Sequence, residues 1–115
     1  FGDGTQTRGF TYLDDIARGT IAALKPLGYE IINLGGHESI SINDLIKKFE
    51  QAIGKEARIA HFPAHPADMS ASWADVSKAR RLLGWEPRVG LDEGIRQVIG
   101  WYRQEHAWAS QVDTE

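Results

Sequence analysis

The chain has 115 residues, 42% of them hydrophobic and 25% charged, the balance of a soluble folded domain long enough to bury a core without cross-links. It contains no cysteine, which excludes a disulfide framework, a thiolate zinc site and a cysteine nucleophile. A net charge of −3, with Lys and Arg scattered rather than clustered, argues against a general nucleic-acid binder. No apolar run approaches membrane-spanning length, and the N-terminus lacks the basic-then-apolar layout of a signal peptide, so no membrane contact and a cytoplasmic location are expected. The first residue is Phe1 rather than methionine, which suits a piece of a longer protein.

Residues 1–9 read as a Gly- and Thr-rich loop, with a short extended piece at Gly9–Tyr12. Leu13, Ile16, Ala17, Thr20, Ile21 and Leu24 then recur at helical spacing, with Asp14 and Asp15 in the favourable first turn and Pro26 and Gly28 as stops. The apolar, β-branched run Tyr29–Leu34 predicts a buried strand ending at Gly35-Gly36. Ser41 is a good N-cap with Asp44 three residues on, and Ile40 and Leu45 can staple the turn. Ile42, Leu45, Ile46, Phe49 and Ile53 form the stripe of that helix, expected to be buried, and Gly54 terminates it.

Ala57–Phe62 predicts a second strand, closed by Pro63 and Pro66, and residues 63–74 predict a long irregular loop. Asp75 caps a short helix, Val76–Leu83, stopped by Gly84. Trp85-Glu86-Pro87 is a turn, and Leu91, Ile95, Val98, Ile99 and Tyr102 mark a last helix with a polar tail, residues 110–115. No repeat and no linker interrupts this order. The expected architecture is a small α/β domain of about four helices and two or three short strands.

Three features invite chemistry. Gly4-Thr5-Gln6-Thr7-Arg8-Gly9 has the G-x-x-x-x-G spacing of a phosphate-cradling loop, but Phe10 and Thr11 stand where Lys and Ser or Thr are needed. It is either an ordinary glycine turn or a phosphate contact built on Arg8, whose planar fork can grip a phosphate in two places. His65, Asp68, Ser72, Trp73 and Asp75 suggest a metal site or a triad, but their spacing supports neither, and His37, His61 and His106 are scattered. Trp85 and Trp101 read as core or interface packing rather than base-stacking platforms.

Three segments together carry a family resemblance: FGDGTQTRGFTYLDDIARGTIAAL, YEIINLGGHESISINDLIKKFEQAIGK and HPADMSASWADVSKARRLLGWEPRVGLDEGIRQVIGWY. In order and spacing they resemble the C-terminal part of nucleotide-sugar epimerases of the extended short-chain dehydrogenase family, over nearly the whole chain. The resemblance implies a single substrate-binding domain, residues 1–115, lacking the family's Rossmann half. Arg8 matches the arginine that contacts the diphosphate of the UDP-sugar, and Phe1 an aromatic at the rim of the uracil pocket. Asp68 matches an acid near the ribose and base, His65 a position that is often arginine and helps hold the nucleotide, and Ser72 a position lining the sugar pocket. Gly9 stands where the family commonly has Asp, and Ala67 where it has Gly.

The family's G-x-x-G-x-x-G unit for NAD is missing, and so is its Tyr-x-x-x-Lys pair. Tyr12, Tyr29 and Tyr102 have Ile16, Asn33 and His106 four residues on. The resemblance therefore implies NAD in a parent enzyme, none bound by this chain alone, and no catalytic residue here. The segment from Asp68 to Trp73 resembles UDP-glucose or UDP-glucuronate 4-epimerases more than the dehydratases and decarboxylases. Three readings stay open: the UDP-sugar-binding fragment of an NAD-dependent 4-epimerase, a stand-alone non-catalytic nucleotide-sugar-binding module, or an interaction domain that has lost its ligand. A face left bare by the missing half predicts a homo-oligomer at high concentration.

Overall fold

Four helices and a three-stranded mixed sheet make up the computed structural model, which describes residues 1–36 and 38–112. In chain order they are β1 (Thr7–Gly9), α1 (Leu13–Ala22), β2 (Ser39–Ser41), α2 (Ile42–Ile53), β3 (Ala71–Ser72), α3 (Ser77–Leu83) and α4 (Leu91–Ala109). The α/β class and the helix count are those the sequence implies. The first strand sits in the middle of the sheet. On one side β2 runs antiparallel to it with Arg8 opposite Ile40, and on the other β3 runs parallel with Arg8 opposite Ser72.

The helices form where period and caps coincide. At the start of α2 the Asp44 amide donates to Ser41 Oγ at 3.0 Å, and the Ser41 hydroxyl donates to the Asp44 carboxylate at 2.7 Å. Those bonds, with Lys47 alongside, hold the Asp44 carboxyl below its ordinary range. Gly54 and Gly84 close α2 and α3 in the left-handed conformation expected of them. Asp75 acts one residue further out than expected: its carboxylate accepts from the Ser77 amide at 2.9 Å, and α3 begins at Ser77 rather than Val76. Leu24 falls in the turn after α1 and is exposed.

The strands are placed differently from expectation. Tyr29–Leu34 and Ala57–Phe62 form no ladder, and the strands are instead Thr7–Gly9, Ser39–Ser41 and Ala71–Ser72. β-propensity describes how well a run fits a half-buried pleated surface, and it makes a strand only beside a neighbour with free donors and acceptors. β2 and β3 fill both sides of β1, and neither apolar run pairs with the sheet. The first run is tied down by side chains instead, through Lys78 to Glu30 at 2.5 Å and the Asn33 amide to the Asp75 carbonyl at 3.4 Å. The second lies in a stretch, residues 51–71, in which every residue is exposed.

The packed centre is small and lies where α1, α3 and the start of α4 converge. Ala79, Trp85 and Ile95 are its buried apolar residues, and the carboxylate of Asp15 is buried with them. The Trp85 indole N–H donates to the Asp15 carbonyl at 2.7 Å. The Asp15 carboxylate accepts from the amides of Arg88 and Val89 at 2.8 and 2.9 Å and pairs with Arg18. Burial pushes this carboxyl up, but the Val89 and Arg88 amides and Arg18 together outweigh it and bring it below the usual carboxylate range. Trp85 is thus a core residue, as expected, whereas Trp101 is half exposed and meets Trp108 edge-on at 5.6 Å.

Much apolar surface stays uncovered. The stripe on α2 is half-buried rather than buried, and Ile53 is exposed. Leu13, Ile21, Tyr29 and Ile31 are also exposed. The accessible surface is 8648 Å², against about 6,300 Å² for a folded monomer of this mass. The Cα radius of gyration is 16.6 Å, against about 13 Å for a self-contained domain of this length. Among the described residues no helix is long and apolar enough to cross a membrane. His37 and residues 113–115 of the polar tail lie outside the described residues.

Candidate functional site

The site starts from the loop ahead of β1. Asp3 accepts from the Thr5 amide at 3.0 Å and the Thr5 hydroxyl at 2.6 Å, an Asx turn whose hydrogen bonds hold the Asp3 carboxyl low. Gly4 turns with φ of 79°, and a Cβ there would lie 2.1 Å from Asn43 Oδ1. Asn43 explains the fit: its side-chain amide donates to the Asp3 carbonyl at 2.9 Å and its backbone amide to the Gly4 carbonyl at 3.0 Å. The Ile42 amide donates to the Gln6 carbonyl at 3.1 Å. The first turn of α2 spends its otherwise free N–H groups on this loop and fixes its path. The G-x-x-x-x-G spacing does not wrap a phosphate, because Thr7–Gly9 is a strand laddered on both sides.

The opposite wall is the exposed stretch before β3. The Gly2 amide donates to the Phe62 carbonyl at 2.8 Å, His61 Nδ1 lies 3.0 Å from the Gly2 carbonyl, and the rings of Phe1 and Phe62 tilt together at 5.7 Å. His65–Asp68 is a tight turn: the Asp68 amide donates to the His65 carbonyl at 2.9 Å, with Pro66 at the position that favours a fixed φ. The Ala67 amide donates to His65 Nδ1 at 3.2 Å, so that nitrogen acts as an acceptor. Among the described residues no non-glycine residue has a positive φ, so Ala67 fits this turn without strain. The Thr7 amide to the Ser70 carbonyl, 2.9 Å, closes the wall onto the sheet.

Between the two walls is an open cavity of about 470 Å³, lined by Gly2, Asp3, Gln6, His65, Asp68 and Met69 among others. That volume lies within the range of small-molecule sites. Arg8 does not line it but meets it through Asp68. The guanidinium donates to the Thr7 carbonyl at 2.7 Å and forms an ion pair with Asp68. Ser72 is its half-buried neighbour in the parallel pairing.

Of the five residues singled out in the sequence, His65 and Asp68 line this cavity, and Phe1, Arg8 and Ser72 do not. Arg8 and Asp68 touch, His65 shares the turn with Asp68, Ser72 adjoins Arg8, and Phe1 packs against Phe62. Asp3 and Gln6 also face the cavity and were not singled out; the one hint was the turn signal Gly2-Asp3-Gly4. Gly9 has a steric role at this strand. It lets the Gly36 carbonyl approach β1, since a Cβ on Gly9 would lie 3.1 Å from that oxygen. Among the described residues no group of three or more His, Asp or Glu is arranged to hold a metal ion.

A second cavity, about 210 Å³, lies between α2 and the start of α4. Phe10, Tyr12, Leu45, Phe49, Ile95 and Val98 line it, and no charged side chain enters it. Of these two cavities the first is the more polar.

Comparison with known proteins agrees with this fold. The sequence model of the GDP-mannose 4,6 dehydratase family matches residues 1–98. The UDP-glucuronate 4-epimerase of Thermodesulfobacterium geofontis is 56% identical over 105 residues, covering 90% of this chain and 32% of its own length. The crystal structure of the UDP-glucuronic acid 4-epimerase from Bacillus cereus, in complex with UDP-glucuronic acid and NAD, superposes with a TM-score of 0.83 at 44% identity, over 91% of this chain and 34% of that one. The UDP-glucose 4-epimerase of Thermotoga maritima, solved with UDP-glucose, gives a TM-score of 0.84 at 31% identity, over 92% of this chain and 34% of that one. The chain therefore spans about a third of the length of the relatives it matches.

Proposed function

We propose, given that this chain belongs to the GDP-mannose 4,6 dehydratase family of NAD-dependent nucleotide-sugar epimerases and dehydratases, that it is the UDP-sugar-binding part of a 4-epimerase and is not catalytic alone. One observation carries the reading. Arg8 and Asp68, 60 positions apart in sequence, pair beside a cavity that Asp68 and His65 line, with Ser72 next to Arg8 in the sheet. In this reading Arg8 forks onto the diphosphate, which suits a guanidinium better than any other side chain. Asp68, His65 and Phe1 hold the nucleoside, and the small side chain of Ser72 leaves room for the sugar.

The residues of this chain do not fit NAD. Its glycine-rich stretch leads into a strand in the middle of the sheet rather than a helix N-terminus that could meet a pyrophosphate. No tyrosine has lysine four residues on. Hydride transfer is assigned to the portion of a full-length relative that this chain does not span. The surface supports such a partner, because the chain exposes more area than a self-contained domain of its mass should.

Calorimetric titration with UDP tests the proposal. The chain is expected to bind weakly, since its pocket is shared, and Arg8→Ala to bind about tenfold or more weakly still, the loss typical of a charge-assisted hydrogen bond. Equal affinity in the two proteins would defeat it.

A further inference from the structure

We infer that Asp68 sets the selectivity of this site: its carboxylate occupies the Arg8 guanidinium as an internal counter-ion, and an incoming phosphate must displace it. The inference rests on the assignment of Arg8 to the diphosphate. Arg8 Nη1 donates to the Thr7 carbonyl at 2.7 Å and Nη2 to Asp68 Oδ1, so two of its five N–H donors are committed, one of them to a negative charge. The backbone bond stays when a ligand arrives, because Thr7 is fixed in the sheet. The carboxylate is the partner that can leave. The Arg8 and Asp68 side chains are 26% and 36% exposed, so solvent and ligand reach the pair. Asp68 sits on a tight turn within the wholly exposed stretch 51–71, and nothing packed must move for it to swing aside.

A bare phosphate that takes the guanidinium loses the ion pair and gains a repelling carboxylate next to it. An exposed ion pair alone is worth up to about a fivefold change in a binding constant. The freed carboxylate faces the cavity, where it is an acceptor for hydroxyl groups. A ligand that joins a diphosphate to a hydroxyl-bearing group recovers there what a bare phosphate forfeits. Asp68 thus admits nucleoside diphosphates and refuses inorganic ones.

Pyrophosphate is the probe that separates the two effects, since it has the diphosphate and no hydroxyl-bearing group. Pyrophosphate and UDP are titrated into the chain and into Asp68→Asn, Asp68→Ser, Arg8→Ala and the Arg8→Ala/Asp68→Asn double variant. Asp68→Asn is expected to bind pyrophosphate three- to tenfold more tightly than the unaltered chain, with a smaller gain or a loss for UDP. The pyrophosphate gain is expected to vanish in the double variant. A damaged fold cannot produce tighter binding, and Asp68→Ser decides if Asp68→Asn does not fold. Unchanged or weaker pyrophosphate binding in the Asp68 variants overturns the inference, as does a gain that persists without Arg8. If Arg8→Ala leaves UDP binding intact, the assignment of the cavity fails instead; if UDP needs Arg8 and the Asp68 variants gain nothing, only this inference fails.

Discussion

Asp15→Ala is expected to cost about 3–5 kcal/mol, the loss seen when one partner of a buried, charged network is removed. Asp15 is 2% exposed and joins three parts of the chain: its carbonyl takes the Trp85 indole, and its carboxylate takes the Arg88 and Val89 amides and Arg18. Truncation leaves two part-buried amides without acceptors, at about 1–3 kcal/mol each. The Arg18 head, partly exposed, can return to water and recover some of the loss. Asp15→Asn keeps the shape but points an NH₂ at a donor, and about 2 kcal/mol is expected. Against a total stability of about 5–15 kcal/mol, both are readily measured by urea unfolding followed by circular dichroism at pH 7.

The pH dependence has a definite sign. Because the folded carboxyl lies below its unfolded value, its contribution is present above the unfolded value near pH 4 and is lost as pH falls through the lower, folded one. The chain should therefore lose stability on acidification below about pH 4, and the Asp15→Asn chain should lose less. An Asp15→Ala chain within about 1 kcal/mol of the original, or an acid dependence unchanged in Asp15→Asn, would refute the network reading.

Two further outcomes are expected. Gly36→Ala should destabilise by about 2 kcal/mol or more, because its Cβ would fall 2.0 Å from the Phe10 carbonyl oxygen and backbone cannot step aside. Gly100→Ala on α4, where a Cβ meets nothing within 4 Å, should instead stabilise by up to about 1 kcal/mol, and thermal melts compare the two. The uncovered apolar surface, including Trp101, Tyr102 and Trp108 along α4, should drive self-association at high concentration. A strictly monomeric sedimentation profile there would count against it.

The helices were legible because their signals are local. Ser41 and Asp44 lie within one turn, Gly54 and Gly84 stop what precedes them, and the apolar period needs no knowledge of the partner. The strands were not, because a strand of two or three residues is defined by its neighbours. Thr7–Gly9 carries no β-branched run and looked like part of a phosphate loop, yet it has a partner on each side. Tyr29–Leu34 has the composition of a strand and no partner among the described residues. The site was legible in its parts. Arg8 stood out by chemistry, and His65, Asp68, Ser72 and Phe1 by family resemblance. That Arg8 and Asp68 pair, 60 positions apart, is a property of the sheet and could not be read from either segment.

The same geometry separates what folds this chain from what it is proposed to bind. Arg8 owes its place to the backbone ladder of β1, with Ile40 and Ser72 as pairing neighbours, not to its own side chain. Its ion pair is partly exposed and so contributes little to stability. Arg8→Ala should leave the fold standing while removing the proposed anion contact, which makes a loss of UDP binding interpretable as loss of that contact. Asp15 is the converse, buried among α1, α3 and the turn before α4 and absent from the lining of the polar cavity. A chain in which Arg8→Ala lowered stability as much as Asp15→Ala would mean that the ion pair, rather than the ladder, holds the strand, and the separation of site from scaffold would be wrong.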